Sequence, residues 1–574
     1  MKKTKENRAI TLVALIVTII ILLILAGISV SVLTQTGLFE KAIQAKEKSD
    51  DAQKQEQGIL KSYEDEIYNY TTNGVWSGEV NRPELMQGMS AIKFTEPTNN
   101  TEGTVVDTTN NDTEWYNYSE KKWANAKTED GSMWVWIPRY AYRIHKENGV
   151  ETQKFDIVFL IGLTDEYYDE NGNIQTAQRQ TSEEQTIVTN GDTYTVHPAF
   201  TNERSINYAN GGWDKELSGI WVAKFEAGYA SGNNSAPVKG SSINYTQNTS
   251  WVMSREAGTS KDSIQTARNW LDGEYSIKNG SDYEWKDGKE TSIKYPTFQG
   301  LTYSMNYISH NDAYRISKVL TESGNIYGLN SSLTDSHLIK NSEWGAVAYL
   351  SQSKYGLDGK NIYINNVSLG NSISSIYYIT GCAGKTENAS AIRGTIESLN
   401  NRTLSDTYVW TQKNGTTAST TGTIYGIYDM SGGTTERIAS IVNNENENLK
   451  KLGNQMIEDL NNGNSTKYIT VYPHDPNNDN INISNTTENR DKAAKSNYDK
   501  NKKIYGDAIR ETSTAGDDKN AWYSDSAAYA GLNYPFFMRG RAGWETLNAG
   551  LFSAQYSNGY SSYDTGFRSI LIAL

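Results

Sequence analysis

The stretch MWVWIPRYAYRI, from Met133 to Ile144, decides the fold class of this chain. It is rich in aromatic and β-branched residues, in continuous apolar or alternating order, which is typical of buried and half-buried strands. The segments DIVFLIG (Asp156 to Gly162) and GIWVAKFEAG (Gly219 to Gly228) have the same character. We therefore predict that the chain beyond Asn73 consists mainly of short strands.

Turn signals and a few helices complete this pattern. The pair Asn171-Gly172 predicts a hairpin between two short strands. Two segments, Asn311 to Glu322 and Ser342 to Ser351, place apolar residues three and four apart, and Ser342 is a candidate N-cap. A few helices beside many short strands predict an α+β fold.

Polar tracts suggest how the chain is divided. We predict a polar linker region over residues 73–130, because residues 97–113 read PTNNTEGTVVDTTNNDT. A β-rich accessory segment over residues 131–218 and a main domain over residues 219–574 follow. Within that domain, residues 442–506 contain NNENEN, NNGNST and PNNDNINISN, which predicts a long inserted loop.

The N-terminus is of a different kind. Residues 10–33 contain no charged side chain, and a helix of that length is about 36 Å long, enough to cross a hydrocarbon layer of about 30 Å. Residues 1–9 carry four basic side chains against one acidic side chain and are predicted to stay in the cytoplasm. The sequence thus predicts a single-pass protein of the cell membrane whose C-terminal region is extracellular; a cleaved secretory signal is the alternative.

Residues 34–72 are predicted to continue as a helical stalk, because apolar side chains share one stripe there. A basic leader, an apolar helix and this amphipathic extension resemble the N-terminus of type IV pilin-like proteins, in the variant of Gram-positive anaerobes. The family has Gly before its cleavage point and Glu at the fifth mature position, where this chain has Ala9 and Ala14. A plain anchor and a structural subunit of a pilus-like filament or pseudopilus, oligomerising through this helix, both stay open.

Composition excludes several functions. The formal charge is -13 at pH 7, and an acidic chain lacks the basic footprint of a nucleic-acid-binding protein. Cys382 is the single cysteine, so no intramolecular disulfide and no cysteine-based metal cluster is available. The high aromatic content of 11% argues for packed cores rather than disorder.

Three ordered motifs carry a second resemblance. HLIKNSEWGAVAYLSQ (337–352) and GIYDMSGGTTERIAS (426–440) are followed by FFMRGRAGW (536–544) with DTGFRSILIAL (564–574). Together they resemble the formylglycine-generating enzyme family. The resemblance implies the C-type-lectin-like fold of that superfamily over residues 219–574, with Glu343 and Trp344 in a structural motif.

The chemistry of that family does not transfer to this chain. Its oxidising members bind copper through paired cysteines near the C-terminus, whereas Cys382 is alone and lies upstream of that site. The histidines form no i, i+3 or i, i+4 pair that would mark a metal site; they are His145, His197, His310, His337 and His474. We therefore predict no enzyme activity, no catalytic residue, no metal and no cofactor.

Three weaker possibilities remain from the residues. Asp335, His337 and Glu343 would suit acid-base chemistry, although ordering of a turn by Glu343 is favoured. Asp429 and Glu436 either hold a buried ion or, as is favoured, staple their loop by hydrogen bonds. The segment HDPNNDNIN (474–482) has clustered oxygens but not the full EF-hand pattern.

The segment WETLNAGLFSAQYSNGYSSYDTG (544–566) has the composition of a binding surface, in which aromatic rings supply contact area and Ser, Asn and Gly supply adaptable hydrogen bonds. It resembles the variable region of diversity-generating retroelement target proteins. We predict a protein or carbohydrate ligand outside the cell; inward packing of the rings is the alternative. The candidate ligand-binding residues are Trp544, Asn548, Phe552, Tyr556, Asn558, Tyr560 and Tyr563.

Three arginines near this segment are predicted to be structural. Arg539, Arg541 and Arg568 are expected to pair with carboxylates or carbonyl groups, by bidentate contacts where the geometry allows.

Overall fold

The structure is a computed structural model. It describes residues 18–20, 46 and most of 80–574; within that last range the gaps are 96–99, 109–113, 180–192, 203–211, 229–274, 279–281, 286–295, 303, 307, 370–376, 385–396, 399–407, 463–464, 479–485, 502–503, 515, 517–518 and 561. The chain divides into two compact units, Met1–Glu64 and Asp65–Leu574.

The predicted leader (1–9), membrane helix (10–33) and stalk (34–72) lie outside the described residues, except for residues 18–20 and 46, which are helical. Within the part of the chain that the structure describes, no helix has the length and apolar character needed to cross a membrane.

The described part of the second unit is a mixed α+β structure in which strands predominate, as predicted. Its strands are β1 (Ser90–Lys93), β2 (Thr104–Val105), β3 (Asn125–Lys127), β4 (Met133–Pro138), β5 (Tyr140–Glu147), β6 (Val150–Phe159), β7 (Glu166–Tyr168), β8 (Ile174–Thr176), β9 (Thr195–Val196), β10 (Gly219–Ala223), β11 (Tyr275–Lys278), β12 (Asp282–Trp285), β13 (Thr334–Leu338), β14 (Val367–Leu369), β15 (Tyr377–Tyr378), β16 (Cys382–Ala383), β17 (Glu397–Ser398), β18 (Tyr408–Val409), β19 (Thr435–Asn443), β20 (Thr470–Pro473), β21 (Lys519–Asn520), β22 (Ser526–Ala527), β23 (Phe536–Gly540), β24 (Gly550–Ser557), β25 (Thr565–Phe567) and β26 (Ser569–Ala573). The α-helices are α1 (His310–Lys318), α2 (Asn341–Ser351), α3 (Glu447–Leu452), α4 (Asn454–Asn461), α5 (Ser465–Tyr468) and α6 (Thr487–Lys500).

The first large sheet has the order β13-β26-β10-β4-β3-β1-β2. At its centre β10 pairs antiparallel with both β4 and the C-terminal strand β26. Trp136 faces Trp221 across the β4–β10 pair, and both rings are buried. The apolar character of these strands, which the sequence already indicated, follows from their central position in the sheet.

The second large sheet has the order β20-β19-β23-β24-β22-β21, and β25 lies beside β19. Strand β19 is buried from Thr435 to Val442, because it has neighbours on both edges and side chains packed on both faces. This sheet carries the segment that we predict to bind a ligand.

A smaller sheet, β6-β5-β9, lies beside the hairpin β7–β8. The hairpin confirms the turn predicted at Asn171-Gly172, where Gly172 has a φ of 78°. A residue with a side chain is strained at such a positive φ, which explains the glycine.

The prediction of a polar linker over residues 73–130 is wrong for its described part. Its described part, from Val80 onward, supplies β1, β2 and β3 to the first sheet and buries Trp115 and Trp123. The Trp115 ring stacks on Trp221 with 6.3 Å between ring centroids. The polar tract drew attention away from these flanking rings, whose burial outweighs the local composition.

The inserted loop predicted over residues 442–506 is also wrong for its described residues. Strand β20 extends the second sheet by pairing parallel with β19. The same stretch of the chain also contains helices α3 to α6. Leu449, Met456 and Val471 join the core. Part of the polar character that suggested a loop comes from helix caps, since Asn446 and Thr486 cap α3 and α6.

Both predicted central helices are present. Ser309 caps α1, which begins at His310 and ends at Lys318. Helix α2 begins one residue before Ser342, so Ser342 is not its N-cap. Instead the Glu343 carboxylate accepts a hydrogen bond of 2.8 Å from the N–H of Lys340, which supports the ordering role expected for Glu343.

A fully buried ion pair joins the C-terminal strand to the rest of the domain. The Arg568 Nε donates to Glu436 at 2.6 Å, and its terminal nitrogens donate to the carbonyl groups of Ala223 and Tyr428 at 3.0 and 2.9 Å. One guanidinium therefore connects β10, β19 and the loop that contains Tyr428. The predicted structural pairing of Arg568 is confirmed, and Glu436 has an arginine as its partner.

Arg568→Met should lower the free energy of unfolding by about 3–5 kcal/mol, because it leaves the Glu436 carboxylate buried without its partner. Urea unfolding followed by tryptophan fluorescence measures this change. Lys495→Met is the matched control: it breaks an exposed pair with Asp499 and should cost about 0.5 kcal/mol or less. A loss below about 1 kcal/mol for Arg568→Met would contradict the central role of this pair.

Candidate ligand-binding site

Trp544 and Asn548 lie in the short 3-10 segment Gly543–Asn548 that joins β23 to β24. The Trp544 ring is half-buried, and its Nε1 donates to Asp564 at 3.2 Å. Its main-chain N–H donates to the hydroxyl of Tyr378 at 2.8 Å. Trp544 is thus attached to the loop that precedes β25, and Asn548 is half-buried at the start of β24.

Phe552 is a core residue, so its prediction as a ligand contact is wrong. Its side chain is 0% exposed and packs against Trp522 and Tyr523, at centroid distances of 5.5 and 5.8 Å. Its N–H donates to Asp525 at 2.8 Å. The inward-packing alternative therefore holds for this ring, because the loop 522–525 covers β24 at that point.

Tyr556 lies near the C-terminal end of β24, opposite Phe537 of β23. It is half-buried, and its ring packs against Tyr534 at 5.1 Å between centroids. The guanidinium of Arg490, from α6, lies 5.7 Å from the Tyr556 ring and 5.4 Å from the Tyr534 ring. The cation–π contacts of the Arg490 guanidinium help to hold the rings of Tyr534 and Tyr556 in place.

The turn after β24 presents Asn558 and Tyr560, which are both half-buried. The Asn558 side chain accepts a hydrogen bond from the N–H of Tyr560 at 3.2 Å, and Gly559 has a φ of 91°. The carbonyl of Tyr560 accepts from buried Arg437 at 2.5 Å. Further along, the carbonyl of Tyr563 accepts a hydrogen bond from Asn306.

A cleft of about 340 Å³ lies at this end of the sheet. Two of the seven predicted residues, Asn558 and Tyr560, line it. We call it the asparagine-tyrosine cleft; its lining is Asn446, Glu447, Asn448, Asn533, Tyr534, Asn558 and Tyr560.

The opposite wall of the cleft is held by amide hydrogen bonds. Asn446 donates from Nδ2 to the side-chain oxygen of Asn533 at 2.7 Å, and Asn448 donates to the Asn533 carbonyl at 2.7 Å. The start of α3 is thereby fixed to the turn that contains Asn533 and Tyr534. Sequence reasoning missed this wall, although Asn446 followed by Glu447 is a recognisable helix-start signal.

The electrostatic character of the cleft is mild. Glu447 stands at its rim with 89% of its side chain exposed, 3.3 Å from Lys450. The amine of Lys451 lies 5.5 Å from the centroid of the Tyr560 ring. The lining thus offers amide and phenol groups, which donate and accept hydrogen bonds without requiring a charged ligand.

The possible acid-base group at His337 is a closed structural cluster. His337 Nε2 lies 2.8 Å from Glu343 Oε1, and the Lys340 amine lies 3.3 Å from the same oxygen. Both His337 and Glu343 are buried. Asp335 pairs with Lys467 at 3.0 Å and accepts from Tyr468 at 2.9 Å. Most polar atoms of the cluster are engaged in these contacts, whereas His337 Nδ1 is buried and has no hydrogen-bond partner among the described residues.

The carboxylates in the second motif are stapled by hydrogen bonds, as favoured from the sequence. Asp429 accepts from the N–H of Gly381 and from the amide of Asn365, both at 2.9 Å. Burial raises the pKa of Asp429 to about 6 and that of Glu436 to about 7, although Arg568 opposes both shifts. Among the described residues there is no group of three or more His, Cys, Asp or Glu side chains that could hold a metal ion.

The other predicted structural arginines also have partners. Arg539 donates to the carbonyl groups of Asp507 and Ala508 at 2.8 and 3.0 Å, and Arg541 pairs with Glu545 at 2.7 Å.

Comparison with protein-family models and with curated proteins finds no match for the chain.

Asp525 makes the stability of this region pH-dependent. Burial raises the pKa of its carboxyl group to about 8, against the hydrogen bond from Phe552. The folded state therefore keeps a proton that the unfolded state releases near pH 4, so this group's contribution to stability falls as the pH rises from about 4 through 8.

Asp525→Asn should therefore make the decline in unfolding free energy between pH 5 and pH 8 less steep, since an amide has no proton to lose. Guanidinium titrations at both pH values measure this slope. Asp499→Asn is the control, because that carboxylate is 57% exposed when folded. An unchanged slope in Asp525→Asn would contradict the expected burial of the acid.

Proposed function

We propose that this chain is a membrane-anchored binding protein displayed on the cell surface, with a catalytically inactive domain of the formylglycine-generating enzyme kind over residues 219–574. Its ligand would enter the asparagine-tyrosine cleft. The observation that carries the proposal is that Asn558 and Tyr560, predicted from composition, line a cleft together with asparagines from a distant part of the chain.

The proposed C-type-lectin-like fold has support from the way the three motifs meet. Trp344, from the first motif, donates from Nε1 to the Leu551 carbonyl at 2.8 Å. The guanidinium groups of Arg539 and Arg568, from the last, lie 5.5 and 5.9 Å from its ring. Arg568 also binds Glu436 of the second motif. Residues matched by resemblance thus form one packed cluster.

The chemistry of the cleft favours a neutral, oxygen-rich ligand such as a saccharide. Asparagine amides both donate and accept hydrogen bonds, as hydroxyl groups do. The rings of Tyr534 and Tyr560 supply contact area with little loss of side-chain entropy. A volume of about 340 Å³ lies at the lower end of the range for small-molecule sites and suits one or two sugar units rather than a protein surface.

Asn558→Ala with Tyr560→Phe should weaken saccharide binding at least about tenfold, because two hydrogen-bonding groups worth about 1 kcal/mol each are removed. An array of immobilised neutral oligosaccharides is the probe, and the melting temperature should change by less than about 2 °C. The control is Asn461→Ala, at an exposed position in α4.

The ligand class would be contradicted if the unchanged chain bound no saccharide on the array. Equal weakening by Asn461→Ala, or unweakened binding by the double variant, would instead contradict the placement of the site.

The proposed topology has a separate test. If residues 10–33 anchor the chain with its N-terminus in the cytoplasm, protease added to intact expressing cells should digest the region from residue 80 onward. An epitope placed before Met1 should survive until the cells are lysed. Immunoblotting with that epitope measures the outcome, and its loss from intact cells would contradict this orientation.

A further inference from the structure

The outer edge of β6 has main-chain groups that point away from its sheet. Leu160 donates its N–H to the Arg139 carbonyl at 3.2 Å. The same register places Phe159 opposite Tyr140 and Ile157 opposite Tyr142. Because hydrogen-bonded and non-hydrogen-bonded pairs alternate in an antiparallel ladder, the N–H and C=O groups of Ile157 and Phe159 face outward.

Two neighbouring contacts support this direction. Phe155, with the same parity as Ile157, donates its N–H outward to the Gln352 carbonyl at 3.1 Å. Across the sheet, the carbonyl of Tyr140 accepts from His197, on the side of β9. Beyond Phe155 the edge is open: no main-chain hydrogen bond reaches Ile157 or Phe159 from outside the sheet within the described residues.

A groove of about 800 Å³ runs along this edge. All of residues 154–161 line it. Successive side chains of a strand point to opposite faces, so a groove that touches every residue follows the edge of β6. One wall is the loop at Lys354, Tyr355 and Asp358, and the other is the β7–β8 hairpin with Tyr194. We call this space the edge groove.

The size of the edge groove matches one added strand. A strand residue occupies about 3.3 Å along the chain, about 4.8 Å across the sheet and about 10 Å between layers, or roughly 160 Å³. A volume of about 800 Å³ therefore accommodates about five extended residues.

The charges around the groove are mostly paired with one another. Asp156 contacts Arg143 and His145, each at 2.8 Å, and Lys154 lies 3.5 Å from Asp358. An aromatic surface lies among them, where Phe159 packs on Tyr355 with 4.7 Å between centroids. These features favour an occupant of low net charge with apolar side chains.

We infer that the edge groove binds an extended peptide segment of about five residues, which adds a strand to β6. The peptide pairs its main chain with Ile157 and Phe159, and it places an apolar side chain against Phe159 and Tyr355. Recognition of this kind takes affinity from main-chain hydrogen bonds and specificity from alternate side chains. The site shares no residue with the asparagine-tyrosine cleft and does not depend on the function proposed for it.

The test selects peptides from a displayed library of random 12-residue sequences on the full chain in detergent micelles. The best binder is then examined by hydrogen-deuterium exchange. Its binding should slow exchange at Ile157 and Phe159 at least about tenfold, as expected for amides that gain hydrogen bonds. Two further peptides carry N-methyl groups on alternate amides, one on the odd-numbered and the other on the even-numbered positions. Only one of them should lose binding, because only one set of amides faces β6.

Two variants distinguish the contribution of the main-chain N–H of Ile157 to peptide binding from that of its side chain. Ile157→Pro removes the outward N–H, which an edge strand tolerates, and should reduce peptide affinity at least about tenfold. Ile157→Ala keeps that N–H and should bind within about threefold of the unchanged chain. The exchange and methylation measurements use the unchanged chain, so they decide the matter even if Ile157→Pro does not fold.

Failure to select any peptide would overturn the inference. The inference would also be overturned if peptide binding slowed exchange only in segments other than β6, or if neither of the two methylated peptides lost binding.

Discussion

The buried pair between Arg568 and Glu436 is the constraint on which the domain depends. Both side chains are 0% exposed, so neither charge is screened by water, and each is tolerable only beside the other. The remaining guanidinium nitrogens bind the carbonyl groups of Ala223 and Tyr428. Because these partners belong to different elements, the pair fixes how the two large sheets meet.

Other buried charges around this pair follow the same logic. Lys224 donates to Asn125 and to two carbonyl groups at 2.6–2.9 Å, and aromatic rings surround its amine. Glu226 accepts from Ser304 and Thr434, and burial with the nearby Asp429 and Glu436 raises its pKa well above the ordinary value. Three buried acids, Glu226, Asp429 and Glu436, thus lie close to Arg568, and the hydrogen-bond network makes their burial tolerable.

The sequence predicted much of the fold but only two of the seven residues that line the cleft. Strands such as β4 and β10 were evident because central strands are apolar throughout. Asn558 and Tyr560 were predicted from the composition of residues 544–566. Phe552 has the same composition signal but faces the core, since composition does not say which loop covers a strand. The wall at Asn446 was missed because asparagine-rich text predicts loops and caps alike, and only tertiary contacts distinguish them.

The pairing of β10 with β26 has a consequence for the order in which the domain is made. Arg568 and its acceptor Ala223 are 345 residues apart in the chain, and β26 separates β10 from β13 in the sheet. Until β26 has emerged from the ribosome, β10 and β13 lack the strand that lies between them, and Glu436 has no counter-ion. The core of the nascent domain therefore stays incomplete until β26 has been made, and its completion requires β26 to enter between two strands synthesised long before it.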